Sequence, residues 1–170
     1  ENVAMGYQAG DANTTGSYNV AIGADALTAD TTGSRSVAIG RRTLHAQNFT
    51  SATDTYNTAI GFEAGNDVTT GVGNTFLGGL AGTSSTGSGV DNNTFIGFQA
   101  GRYTTSGEKN TFIGRYDGQT GLDLRTSSNN IVLSDGDGNI RLRIGSTGAA
   151  TMGGASYDST KTLKISTVGT

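Results

Sequence analysis

Asp135-Gly136-Asp137-Gly138-Asn139 places three oxygen-bearing side chains at alternate positions, the spacing that opens a calcium-binding loop. A loop of the EF-hand kind needs Gly at its sixth position and Glu at its twelfth. This chain has Ile140 and Ser146 there, so the stretch reads as a hairpin turn rather than a metal site. There is no cysteine, which excludes disulfides and thiolate metal sites. His45 is the single histidine, so neither a His cluster nor a Cys–His pair can form, and its polar linker makes it a surface residue. Asp25, Asp54, Glu63 and Asp67 could supply the paired carboxylates of glycoside hydrolysis, as a polysaccharide-degrading spike would require. None of them recurs at a cleft-like place. No set of residues meets the requirements of catalysis, and the chain reads as non-enzymatic, with no cofactor, catalytic or metal site.

The elements that carry these residues follow from a repeat. A nine-residue unit recurs seven times, as NVAMGYQAG, NVAIGADAL, SVAIGRRTL, NTAIGFEAG, NTFLGGLAG, NTFIGFQAG and NTFIGRYDG. The copies start at Asn2, Asn19, Ser36, Asn57, Asn74, Asn93 and Asn110, at spacings of 17, 17, 21, 17, 19 and 17 residues. A fixed period of this kind specifies stacked coils. The expected fold is all-β: a parallel β-roll whose coils stack at ~4.8 Å, each a strand, a glycine bend, a second short strand and a turn. Seven coils make a rod of roughly 30 Å.

Within the strand, Met5, Ile22, Ile39, Ile60, Leu77, Ile96 and Ile113 share one face with Val3, Val20, Val37, Thr58, Thr75, Thr94 and Thr111. Ala4, Ala21, Ala38, Ala59, Phe76, Phe95 and Phe112 occupy the other face. Burial of both faces is expected, and the large members of these columns form the expected core. One face fills the coil and the other packs on copies of the same chain around a symmetry axis. A thin core favours that arrangement. Ordering one coil costs roughly 17–34 kcal/mol of backbone entropy, whereas a buried Ile returns ~1.5–3 kcal/mol. The alternative is a monomeric solenoid binding a regular surface such as ice, for which the threonine column would have to be exposed. Sharing a face with the aliphatics marks that column as interior.

Gly6, Gly23, Gly40, Gly61, Gly78, Gly97 and Gly114 follow the strand. Their recurrence implies a bend at positive φ or a close approach of backbones. Leu27 and Leu44 stand where the other units have Gly, in coils with a small inner residue, which suggests volume compensation. Ala4 with Gly10 and Ala59 with Gly65 do not follow that rule. The residue after the central glycine varies, as Tyr7, Phe62 and Phe98 illustrate, and these aromatics read as packing over neighbouring coils. Two linkers are longer than the rest, His45 to Tyr56 and Thr83 to Asn92, and insertions in a solenoid become loops on a binding face. His45, Phe49 and Tyr56 of the first long linker, with Tyr18 and Tyr103, which precede a unit or sit in a linker, are the candidate receptor contacts.

After Gly118 the period is lost. Residues 129–134 and 140–144 read as the strands of a hairpin, residues 145–155 as a small and flexible stretch, and residues 162–168 as a further strand. The expected division is a β-roll over 1–118 and a β-rich connector over 119–170.

Val, Ile, Leu and Phe make up just under a fifth of the chain, but the net charge is only −3 and the apolar residues are periodic, so the chain is ordered. There is no proline to interrupt a ladder. No run of 18 apolar residues is present, so no helical membrane insertion is expected. Lysines and arginines are scattered, which gives no nucleic-acid face. The repeat begins at once after Glu1, with no signal-like segment, as in a fragment of a longer protein.

The NVAIG and NTFIG units with GFQAG-type endings resemble the head repeats of YadA-type trimeric autotransporter adhesins, and more closely the same repeat in bacteriophage tail fibres. Residues 129–148, NNIVLSDGDGNIRLRIGSTG, resemble a segment that follows such repeats in phage fibres. The resemblance implies a homotrimer of left-handed parallel β-rolls. It implies a virion-tail location, partnership with other fibre or tail proteins, and attachment to a host cell-surface glycan or protein. A bacterial surface adhesin head is the alternative. The later units depart from adhesin heads in carrying Thr and Phe where those favour Val and Ala. Asp117, in place of a small residue, is expected to mark the end of the roll.

Overall fold

The computed structural model describes residues 1–86 and 90–153. The expected strand at 162–168 lies outside them. No helix occurs among the described residues. The chain forms a β-solenoid of about eight coils. Its rungs are β1 (Val3–Met5), β2 (Val20–Ile22), β4 (Val37–Ile39), β6 (Thr58–Ile60), β7 (Thr75–Leu77), β8 (Thr94–Ile96), β9 (Thr111–Ile113) and β10 (Ile131–Ser134). They stack in parallel and in register, so that Ala38 meets Ala59, Ala59 meets Phe76, and Phe76 meets Phe95. A small second sheet, β3 (Gly33–Ser34) with β5 (Thr53–Asp54), lies in the linkers of the second and third coils.

The two faces of the rungs differ in burial. Ala38, Ala59, Phe76, Phe95, Phe112 and Val132 are fully buried and fill the coil. Phe95 and Phe112 stack at 4.8 Å between ring centres, Phe76 lies 5.6 Å from Phe95, and Tyr116 closes the row edge-on to Phe112 at 5.1 Å. The aliphatic column expected in the core lies on the outside of the single chain. Ile22, Ile39, Ile60 and Ile96 are half-buried, and Met5, Leu77 and Ile113 are exposed. The threonine column, expected to be interior, is half-buried on that same outer face. The physical reason is the pleat: alternate side chains leave opposite sides of a strand, and one coil has only one inside.

A ladder of asparagines runs along the inner edge of the rungs. The backbone N–H of Asn19, Ser36, Asn74, Asn93, Asn110 and Asn130 donates to the side-chain Oδ1 of the asparagine one coil earlier, at 2.8–3.0 Å. The Nδ2 of Asn2, Asn19, Asn57, Asn74, Asn93 and Asn110 donates to a turn carbonyl of its own coil, at 2.6–2.9 Å. Ser36 is too short to do this. Gln47, from the long linker, takes the place: its Nε2 donates to Ser36 Oγ at 3.0 Å and to Asp30 Oδ2 at 2.6 Å, and its Oε1 accepts from Asn57 Nδ2 at 2.8 Å. All five groups of this cluster, counting Thr55 on Ser36, are buried.

The central glycines meet both expectations. Gly61 has φ +130, and a Cβ on it would stand 2.6 Å from the carbonyl carbon of Gly78 in the next coil. The expected second strand is instead a stacked turn with two left-handed residues, as at Asp25 (φ 58) with Leu27 (φ 52) and at Gln99 (φ 62) with Gly101 (φ 60). The leucine–glycine alternation is volume compensation, within the coil at Gly82 under Phe76 and Gly101 under Phe95, and also between neighbouring coils. A Cβ on Gly65 would lie 2.7 Å from Phe76 of the following coil, which explains why Ala59 coexists with Gly65. Gly10 has 3.8 Å to its nearest neighbour, because the first coil has no phenylalanine beside it.

The rungs continue past residue 119. Ile131, Val132 and Leu133 pair with Thr111, Phe112 and Ile113, and Asn130 extends the asparagine ladder, so NIVLS is an eighth unit with Ser134 in the glycine place. Asp117 does not end the roll. Its Oδ1 accepts the amides of Gln119 and Thr120 and starts a detour that rejoins the stack at Asn130. The sheet then reverses into the expected hairpin with β11 (Ile140–Ile144). Part of the stretch read as flexible forms β12 (Ala150–Met152), antiparallel to β11.

Asn93→Ala removes the acceptor for Asn110 N–H and the donor to Gly107 carbonyl, leaving two buried groups unpaired. We expect a loss of about 2–5 kcal/mol in urea unfolding. The exposed Ser106→Ala is expected to stay within ~0.5 kcal/mol. Gly101→Ala and Gly10→Ala share a left-handed φ, so their difference isolates packing. With Phe95 only 2.3 Å from the new Cβ in the former, Gly101→Ala should be the less stable by about 1–3 kcal/mol.

Candidate functional site

The calcium reading of 135–139 is answered by the geometry of Asp135. Its Oδ1 accepts the backbone amides of Asp137 and Asn139 at 3.0 and 2.9 Å, and its Oδ2 accepts Arg141 Nε at 2.9 Å. Partial burial opposes its ionisation, but hydrogen bonds from Asn139 and Arg141 outweigh that and hold the carboxyl at about 2. The carboxylate is spent on its own turn and on an arginine, which is how a hairpin is fastened. No group of three or more His, Asp or Glu side chains converges among the described residues. Of the other carboxylates, Asp54 pairs with Arg35, Glu63 lies 3.8 Å from Arg42, and Asp67 accepts from Asn66.

Three surface features remain. The largest is the outer sheet face, where two columns of Val or Thr and Ile, Leu or Met run along eight rungs. Val3, Met5, Leu77, Ile113, Ile131 and Leu133 are all exposed on it. Leu142 and Ile144 of β11, opposite Leu133 and Ile131, extend the face.

Beside it runs the column after the central glycine. Tyr7, Phe62 and Phe98 are exposed there, with Arg41 5.7 Å from the Phe62 ring and Arg115 5.7 Å from the Phe98 ring. Phe62 and Phe98 are thus each covered on one side by an arginine from the neighbouring coil, whereas Tyr7 is not.

The third feature gathers some of the expected contact residues. Tyr18, Arg35 and Tyr56 occupy the position just before the rung in three successive coils. The Arg35 guanidinium lies 5.0 Å from the Tyr18 ring centre and 5.9 Å from that of Tyr56. Asp54 bonds Arg35 Nε at 2.9 Å and accepts the Tyr56 hydroxyl at 3.4 Å. The β3–β5 pairing of Ser34 with Asp54 sets Asp54 against Arg35. Tyr103 stands apart, half-buried under Arg102 at 4.9 Å. His45 is half-buried in the long linker. Phe49, expected to be a contact, is buried, and its carbonyl accepts the hydroxyls of Thr31 and Thr32. Arg35 and Asp54 join Tyr18 and Tyr56 through spatial stacking, and only the repeat column containing 18, 35 and 56 would have signalled it.

No family model matches the chain, and no curated protein or solved structure is significantly similar to it.

The Asp135 pKa fixes a pH window. Because the folded value is below the 3.8 of the free carboxyl, its contribution is fully present above about pH 4 and is lost as pH falls through about 2. Protection of the Asp137 and Asn139 amides, taken relative to intrinsic exchange at each pH, should fall across that window, and Asp135→Asn should remove this pH dependence of protection.

Proposed function

We propose that this chain is a segment of a homotrimeric attachment fibre of the bacteriophage tail type, located outside the cell on the virion. The observation that carries this reading is the outer sheet face. It presents regular aliphatic columns to solvent over the whole stack, beside an interior already filled by Ala, Leu and Phe. Contiguous exposed apolar surface on this scale calls for a partner. A solenoid repeats along its axis, so a second copy aligned on the same axis matches it rung for rung, and a ring of copies covers the face on all of them. The resemblance of the repeat to phage-fibre and YadA-type units selects three copies. The role is mechanical and adhesive, with host contact through the turns that protrude away from the shared core. A host cell-surface glycan or protein and other tail proteins are its partners, and no catalytic step is part of the reading.

Molar mass by light scattering tests it. A value near three times 17.2 kDa is expected, and a folded monomer would sink the fibre reading. A monomer would also turn the half-buried threonine row into a candidate for a regular-surface binder. Leu77→Lys is expected to lower the mass toward 17.2 kDa while preserving the β-rich circular dichroism, because this side chain is 44% exposed in the single chain.

A further inference from the structure

The residue just before the opening Asn or Ser of every coil after the first is left-handed: Tyr18 (φ 63), Arg35 (φ 66), Tyr56 (φ 50), Gly73 (φ 68), Asn92 (φ 57), Lys109 (φ 56) and Asn129 (φ 60). Glycine and asparagine accept this conformation most readily, and three of the later coils use them. The first three of these coils place Tyr, Arg and Tyr there, against the backbone preference. Such an outlier points to a job for the side chain.

What the three side chains build is a polar and aromatic ladder on the surface. Arg35 lies between the two tyrosines, and each tyrosine remains well exposed, 58% for Tyr18 and 61% for Tyr56. The next coil has Gly73 at this position, so it puts no side chain over the far side of Tyr56. The Arg35–Asp54 pair is also open to solvent, with side chains 43% and 50% exposed. Its charges cancel, which gives the ladder fixed donors and acceptors without a net field. Flat aromatic faces beside such a pair suit a ring that has one apolar C–H face and an edge of hydroxyls. An anionic ligand would have to displace Asp54 from Arg35.

We propose that Tyr18, Arg35, Asp54 and Tyr56 form a binding site for a neutral sugar ring, which lies on an exposed tyrosine face while Arg35 and Asp54 bond its hydroxyls. The site rests on the attachment reading and gives that reading a ligand class. The long linker then has a purpose at its far end: Asp54 and Tyr56 are delivered by it, held in place by the β3–β5 pairing.

Saturation-transfer NMR on the purified protein tests the site, with lactose, maltotriose and mannotriose as neutral probes and sialyllactose as an acidic one. At least one neutral probe should bind. The double variant Tyr18→Asn with Tyr56→Asn should weaken it about 5- to 10-fold, whereas Tyr18→Phe with Tyr56→Phe should retain most of the affinity. Asparagine is the chosen replacement because this column already accepts it at positions 92 and 129. Binding of none of the neutral probes, preference for sialyllactose, or equal affinity in the Asn variant would overturn the site. Cell attachment abolished by protease but unchanged by periodate oxidation of surface sugars would assign the ladder to a protein partner, and so would also overturn it. A trimer that binds no neutral sugar defeats this inference alone. A monomer that binds one defeats the fibre reading alone.

Discussion

The stack depends on one buried hydrogen-bond unit, the asparagine that opens each coil. Its side chain accepts the backbone amide of the following rung and donates to a turn of its own coil, so one residue ties neighbouring coils together and closes its own loop. A parallel strand of three residues makes few ladder bonds, and a one-residue slip would turn its inner alanine or phenylalanine to the outside. The asparagine opposes that slip, because its amide finds partners in one register only. Each bond contributes on the order of 1 kcal/mol net, yet leaving its partners buried and unpaired costs more, which is why the ladder specifies as well as stabilises.

With register fixed, the interior is a problem of volume along the axis. The first coils fill it with Leu27 and Leu44 above small rung residues, and the later ones with a row of phenylalanines ending at Tyr116. Burial, reinforced by Asp117 and Asp123, pushes the Tyr116 phenol far above its ordinary range, and its hydroxyl donates to the Leu122 carbonyl. Glycine in the turn is then required wherever a ring from its own or the next coil occupies the space of a Cβ. The outer face has no such constraint from its own chain, and it is there that large aliphatics accumulate.

Interruptions of the period carry the chemistry that the regular coils lack. Ser36 breaks the asparagine ladder, and Gln47, at the start of the long linker in the buried turn column that Asp30 and Val68 occupy in the neighbouring coils, repairs it. The same linker returns through β5 and sets Asp54 on Arg35. A structural repair and a surface cluster therefore share one linker, the repair at its regular start and the cluster after its extra residues. At the far end, Asp135 closes the hairpin with its own backbone and with Arg141.

The sequence by itself determined the coil, the period, the alternation of faces and the hairpin, because a three-residue strand with a glycine after it leaves a local signature that repetition makes legible. It also contained the eighth unit, in NIVLS, hidden by a 20-residue interval and by serine in place of glycine. Tertiary structure alone decided which strand face is the inside. Both columns are apolar or small, and only closure of the coil chooses between them. It buried Phe49 and set Gln47 on Ser36 and Asn57, because contacts between a turn and the residues that open the coils form only when the coil closes. It also joined Tyr18, Arg35 and Tyr56, which are 17 and 21 residues apart, into one ladder, because stacking turns sequence period into spatial contact.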